Sequence, residues 1–136
     1  MSVQRELMFN DLIKIPFKFG TTDCWWLARE VYSRYGIDLP DYSVSRMAVE
    51  LCNLQQVADE IDRLRPLWIE ITEPEIPCMV IMSLGVPGAY NHVGVYIGYG
   101  KFIHTNRQRG SAVIEPLSNP IYANRKFYRY DSSNDN

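Results

Sequence analysis

Histidine and cysteine are scarce in this chain, which has two of the first and three of the second in 136 residues. Cys24, Cys52 and Cys78 stand 28 and 26 residues apart, with no Cys-x-x-Cys pair. That spacing excludes a disulfide framework and the usual ligand pattern of a structural zinc site, so no metal and no cofactor are expected. A basic excess is also missing, with 14 Lys and Arg against 16 Asp and Glu and a formal net charge of -2. No nucleic-acid footprint and no polybasic run for an anionic membrane follow from that balance. No apolar run approaches a bilayer span, so membrane insertion is not expected. Met1 to Phe9 has no apolar h-region, and the expectation is cytoplasmic synthesis without a signal peptide.

Apolar residues make up 46% of the chain, enough for a core in what the length reads as one domain over 1–136. Residues 1–14 read as an approach segment, where Leu7, Phe9, Leu12, Ile13 and, just beyond, Ile15 make a short helix or turn that packs on the body. Pro16 ends it. A second helix is expected after Ser43 or Ser45, because Met47, Leu51, Leu54, Val57 or Ala58, Ile61 and Leu64 recur at three- and four-residue spacings up to Pro66. Cys52 lies off that stripe and reads as a thiol without chemistry. From Leu67 the period changes to two. Strands are expected near 68–72, 78–84, 91–98, 101–106, 111–117 and 126–130, separated by Gly, Asn and Pro turns. Cys78 opens the second of them and packs into it. The polar residues 131–136 read as a frayed tail. Helices first and an antiparallel meander after make an α+β layout.

The first long helix begins at Cys24. Gly20, Thr21 and Thr22 interrupt the preceding chain, and Asp23 or Thr22 can cap the helix with a side-chain oxygen. Leu27, Val31 and Tyr35 share one face, and Gly36 suits the left-handed residue after the last turn. A thiol in a first turn feels the positive end of the helix dipole, which lowers its pKa and favours the thiolate. A small buried hydrophobe at a core helix is the plainer reading of the same cysteine. The choice depends on a base, and both histidines lie in one segment, Asn91 to Thr105.

Odd positions Val93, Val95 and Ile97 face the core in a strand here, leaving His92, Gly94 and Tyr96 on the other face. If the Gly98-Tyr99-Gly100 turn holds an odd number of loop residues, His104 falls opposite Gly94 and diagonal to His92, and Gly94 leaves room for the rings. A two-residue loop would put the rings on opposite faces. On one face, they complete a nucleophile, base and orienter set. Cys24 supplies the thiolate, His92 moves its proton, His104 fixes the tautomer of His92, and the Cys24 backbone N–H receives the oxyanion. Two half-buried strand histidines with satisfied nitrogens are the alternative.

These residues resemble the NlpC/P60 cysteine peptidases. Thr22-Asp23-Cys24 and the aromatic-aliphatic helix ending Tyr35-Gly36-Ile37-Asp38-Leu39-Pro40 resemble their Cys motif. Asn91-His92-Val93-Gly94-Val95-Tyr96-Ile97-Gly98-Tyr99-Gly100-Lys101-Phe102-Ile103-His104 resembles their His motif, and the likeness spans residues 15–130. It implies a papain-like fold, N-terminal helices packed on a small antiparallel sheet or half-barrel. It also implies catalytic Cys24, His92 and His104, acting on amide bonds of peptidoglycan stem peptides, often the γ-D-glutamyl–diamino acid bond. The Asp-Cys-Trp helix and Leu39-Pro40-Asp41-Tyr42 resemble the phage and prophage tail-associated branch, which implies phage tail proteins as partners and the virion tail as a location.

Three departures bear on substrate choice more than on the triad. Relatives often carry Asp-Cys-Ser, where Asp and Ser hold the free amine of the stem peptide; here Asp23 remains and Trp25 follows the cysteine. The Tyr usually found upstream is replaced by Phe17, and the usual Gly-Asp of the first core strand by Pro77-Cys78. Asp23, Trp25, Phe17 and Tyr96 are the substrate-binding candidates, with plain core packing open for Trp25 and Tyr96 and favoured for Trp26. Arg107 and Arg109 follow His104 and read as a solvated loop or as partners for stem-peptide carboxylates. An inactive tail-assembly component of the same fold and a thiol acyltransferase are the competing functions.

Overall fold

The computed structural model describes residues 8–18, 21–39, 68–84, 92–106 and 108–131. The second helix expected over 43–65, the 131–136 tail beyond Asp131, Cys52 and Arg107 lie outside these residues. Helix α1 (Asn10–Ile13) is one turn long and buries Leu12, with Phe9 just before it. Arg34 grips Asp11 through two hydrogen bonds of 2.7 and 2.6 Å and donates to the Met8 carbonyl, tying the approach segment to the far end of the next helix. Beyond α1, Pro16 bridges Ser111 and the Phe17 N–H donates to the Gly110 carbonyl at 2.8 Å.

Helix α2 (Cys24–Arg34) starts where the sequence places it. Of the two possible caps, Asp23 is used: it has extended backbone geometry, and its Oδ1 accepts the Trp26 N–H at 2.9 Å. Thr22 instead donates to the Pro16 carbonyl at 2.7 Å. At the other end Gly36 has φ +80°, the Gly36 N–H donates to Ser33 O, and the Ile37 N–H donates to Tyr32 O. That pair of bonds is the Schellman motif, and it needs a left-handed residue at Gly36.

Strands β1 (Trp68–Ile71), β2 (Cys78–Met82), β3 (His92–Gly98), β4 (Lys101–His104), β5 (Val113–Pro116) and β6 (Arg125–Tyr130) form one antiparallel sheet in the order β1-β6-β2-β3-β4-β5. Only β2 to β5 follow the expected meander. β6 crosses back and inserts between β1 and β2.

The sheet buries both faces. Met79, Ile81, Val93, Val95, Ile97, Ile103 and Tyr128 join α2 in the larger core. Their neighbours Cys78, Val80, Met82, Phe102 and Phe127 join Leu117 and Tyr122 in a smaller core on the other side. This is the two-residue period of a strand, read out as two separate apolar layers. α2 packs chiefly on β3. The smaller layer is closed by a 3-10 turn, Pro120–Tyr122, whose start is capped by Asn119, and Arg125 holds that loop through the Leu117 and Tyr122 carbonyls.

The hairpin between β3 and β4 differs from expectation in an instructive way. Tyr99 and Gly100 both have positive φ, 56° and 72°, and Gly98 pairs with Lys101, so the loop has two residues. Such a loop was expected to separate the histidines. It does not, because Val95 pairs with Ile103 and Tyr96 with Phe102, which leaves Ile97 as the extra residue of a β-bulge. The bulge restores the register of an odd loop. Continuing that register by one pair sets Gly94 across from His104.

Candidate functional site

Cys24, first residue of α2, is buried in the larger core. The backbone N–H groups of Val93, Cys24 and Trp25 act on its sulphur in the direction that favours the thiolate. Cys24 lies in the same buried cluster as Val93, the residue that follows His92 at the start of β3. His92 and His104 are both buried on the β3–β4 face. His92 Nε2 lies 2.8 Å from His104 Nδ1, with the rings edge to face. The space comes from Gly94, where a Cβ would sit 3.1 Å from His104 Cβ. His104 is also packed against the rings of Phe102 and Tyr122, with centroids 4.5 and 5.5 Å away.

The hydrogen-bonded line continues past the second histidine. His104 Nε2 lies 2.6 Å from Glu115 Oε2. Glu115 stands opposite Phe102 on β5, one diagonal from His104. Tyr122 donates to Glu115 Oε2 at 2.7 Å, and Arg109 donates to both carboxylate oxygens at 3.0 Å. Arg109 Nη2 also donates to the Tyr122 hydroxyl at 3.2 Å. Arg109 is therefore committed to Glu115 and Tyr122 rather than to an open solvated loop. Glu115 and Tyr122 carry no motif. The one signal for Glu115 was a lone carboxylate within Ala112-Val113-Ile114-Glu115-Pro116-Leu117.

Burial decides the electrostatics. The Cys24 thiol is pushed up to about 12, first by burial and then by the charge of Asp23, against the three backbone N–H groups. The expectation of a thiol acidified by its helix start is thus reversed, because the cost of desolvating a thiolate at this depth outweighs what the helix start and the N–H groups contribute. His92 is held well below its ordinary value, by burial first and by the nearby His104 second. For His104 burial also leads; Glu115 pulls it upward and Arg109 pushes it down, and the net direction is down. Its contact with Glu115 is therefore a hydrogen bond from a neutral ring at neutral pH. Partial burial raises the Glu115 carboxyl, but the bonds from Tyr122 and His104 and the nearby charges outweigh it, and Glu115 stays below the usual carboxylate range.

The substrate-binding candidates scatter. Asp23 is buried and caps α2. Trp25 is 1% exposed and fills the larger core, so it does not wall an open groove, whereas Trp26, assigned to packing, is only half-buried. The helix is covered over a wider arc than its leucine and valine stripe suggests. Phe17 is half-buried against the same core. Tyr96 packs on the smaller layer, and its hydroxyl accepts the Gly100 N–H at 3.0 Å, at the hairpin turn rather than beside Cys24. Among the described residues, no cluster of His, Cys, Asp and Glu has the makings of a metal site, and no helix is long and apolar enough to cross a membrane.

A buried thiol heading a helix, set on an antiparallel sheet that presents a bonded histidine pair, has the parts of a thiol–imidazole site. A model of the NlpC/P60 family matches residues 14–129, a span that takes in α2, both histidines and Glu115. The chain belongs to the NlpC/P60 family, whose members are generally cell-wall peptidases. No curated protein matches the chain.

Proposed function

We propose that the chain is a cysteine peptidase hydrolysing amide bonds in peptidoglycan stem peptides, of the γ-D-glutamyl–diamino acid type. The observation that carries this reading is the meeting of α2 with β3: Cys24 heads the helix, the helix packs on the strand that His92 opens, and the His92 ring is gripped at Nε2 by His104. Cys24 is the nucleophile, His92 the general base and acid, and His104 the group that orients His92.

Both reacting groups start neutral, since burial holds the thiol up and the imidazole down. A resting thiolate–imidazolium pair is disfavoured, so the proton passes from sulphur to His92 Nδ1 as sulphur bonds to the carbonyl carbon. The carbonyl oxygen becomes an oxyanion and takes the Cys24 backbone N–H at the helix start. His92 then gives its proton to the leaving nitrogen, the C–N bond breaks, and a thioester remains. Water attacks the thioester while His92 takes its proton; the C–S bond breaks and the proton returns to sulphur. The products are a free amine and a free acid.

Mass spectrometry of defined muropeptides tests this. Purified protein should release fragments with new amines, and Cys24→Ser should reduce release to background. Release by the variant at the parent rate removes Cys24 as nucleophile and ends the reading.

A further inference from the structure

We infer that Glu115, locked by Arg109 and Tyr122, is a positioning residue that sets the proton map of both histidines and leaves the free lone pair on His92 Nδ1. The catalytic consequence rests on the peptidase reading above; the proton map does not.

The argument starts from the one group in the line that cannot change role. Arg109 has only donors. It donates to both oxygens of Glu115 and to the Tyr122 hydroxyl. A hydroxyl that accepts from Arg109 is free to give its own proton, and it gives it to Glu115 Oε2. Glu115 is then an ionised acceptor surrounded by donors, with four close contacts for about four lone-pair sites. His104 Nε2, at 2.6 Å from the same oxygen, must carry a proton and donate it. In a neutral ring that leaves His104 Nδ1 bare, as an acceptor. His92 Nε2, 2.8 Å away, must therefore donate to it. The remaining nitrogen of His92, Nδ1, is left unprotonated. Without the carboxylate the line can run the other way, with His104 Nδ1–H donating to His92 Nε2. His92 would then carry its proton on Nδ1 and be no base toward a thiol.

The carboxylate has a second effect. When His92 becomes an imidazolium during turnover, the Glu115 charge is two hydrogen bonds away and favours it. Gln at 115 keeps an oxygen for His104 Nε2 and loses the charge, while Leu loses both.

The test uses the full chain labelled with 15N. Long-range 1H–15N spectra report which ring nitrogen of each histidine is protonated, and there are two histidines to assign. At neutral pH both rings should carry the proton on Nε2. Glu115→Gln should keep that pattern and Glu115→Leu should lose it. With muropeptide substrate, kcat should fall by roughly 100-fold or more in Glu115→Leu and by roughly 10-fold in Glu115→Gln, with KM little changed. A His92 protonated on Nδ1 in the parent protein overturns the inference, as do parent-like tautomers or parent-like kcat in Glu115→Leu. If Glu115→Leu does not fold, the parent spectrum and the kcat of Glu115→Gln decide: a parent-like kcat in Glu115→Gln overturns it. A parent protein with the expected tautomers and no muropeptide cleavage upholds the proton map and refutes the peptidase reading instead.

Discussion

Gly94→Ala adds one methyl group at the tightest point between β3 and β4. The new Cβ would lie 2.9 Å from Phe102 Cδ2, 3.1 Å from His104 Cβ and 3.1 Å from the Ile103 carbonyl oxygen. The oxygen is backbone and the His104 Cβ is one bond from it, so both move only if β4 moves. The Phe102 ring has little freedom either, lying edge-on to Tyr122 at 4.9 Å and beside His104 at 4.5 Å. Overpacking of this kind costs roughly 1–3 kcal/mol. Alanine also reduces the freedom of the unfolded chain, which offsets about 0.4–1 kcal/mol. A net loss of about 1–2 kcal/mol should lower Tm by roughly 3–10 °C for a chain of this size. Any outward shift of β4 also stretches the 2.8 Å bond between His92 and His104. Thermal unfolding followed by circular dichroism reads the first effect. Muropeptide turnover, measured where the variant is fully folded, reads the second and should fall. A melting temperature and a turnover indistinguishable from the parent's would refute the close approach of the two strands at this point.

Acid should weaken the fold before the carboxylates titrate. Both histidines are held below their ordinary value of 6.5, chiefly by burial. As pH falls through that value the unfolded chain gains protons that the folded chain refuses. Stability is therefore full above about pH 6.5 and declines below it, by up to ~1.4 kcal/mol per pH unit for each histidine that stays neutral. Urea midpoints measured over a pH series should slope in this window, and a flat series down to the carboxylate range would contradict the burial argument. Asp23→Asn keeps a capping oxygen for the Trp26 N–H and removes the charge that, after burial, holds the Cys24 thiol up. Iodoacetamide should then alkylate Cys24 faster at neutral pH with stability nearly unchanged. Asp23→Ala should also speed alkylation but lose about 1 kcal/mol with the cap. An Asp23→Asn thiol that reacts no faster than the parent's would remove Asp23 as a cause.

Several elements were legible in the sequence because their causes are local. Asp23 caps α2 and Gly36 ends it by hydrogen bonds to residues within five positions. The alternation of Val93, Val95 and Ile97 with His92 and Gly94 is a property of any strand, and the structure divides these residues as the alternation does. Other features depend on residues far apart in the chain. Nothing in Arg125 to Tyr130 says that this strand will insert between β1 and β2, since edge and central strands share the same period. The bulge at Ile97 follows from the Tyr99–Gly100 turn and the β4 register together, and neither is visible in Ile97 itself.

The sequence by itself determined the chemistry available: one thiol at a helix start and two imidazoles on one strand pair, whose common face the bulge at Ile97 then secured. Tertiary structure alone decided what state those groups are in. Complete burial turned the thiol toward its neutral form, because desolvation disfavours charge more than a helix terminus favours it. Docking of β5 and the Pro120–Tyr122 turn against β4 brought Glu115, Arg109 and Tyr122 to His104. Proton positions follow from which groups meet, and contacts between residues so far apart in sequence exist only once the chain has closed on itself.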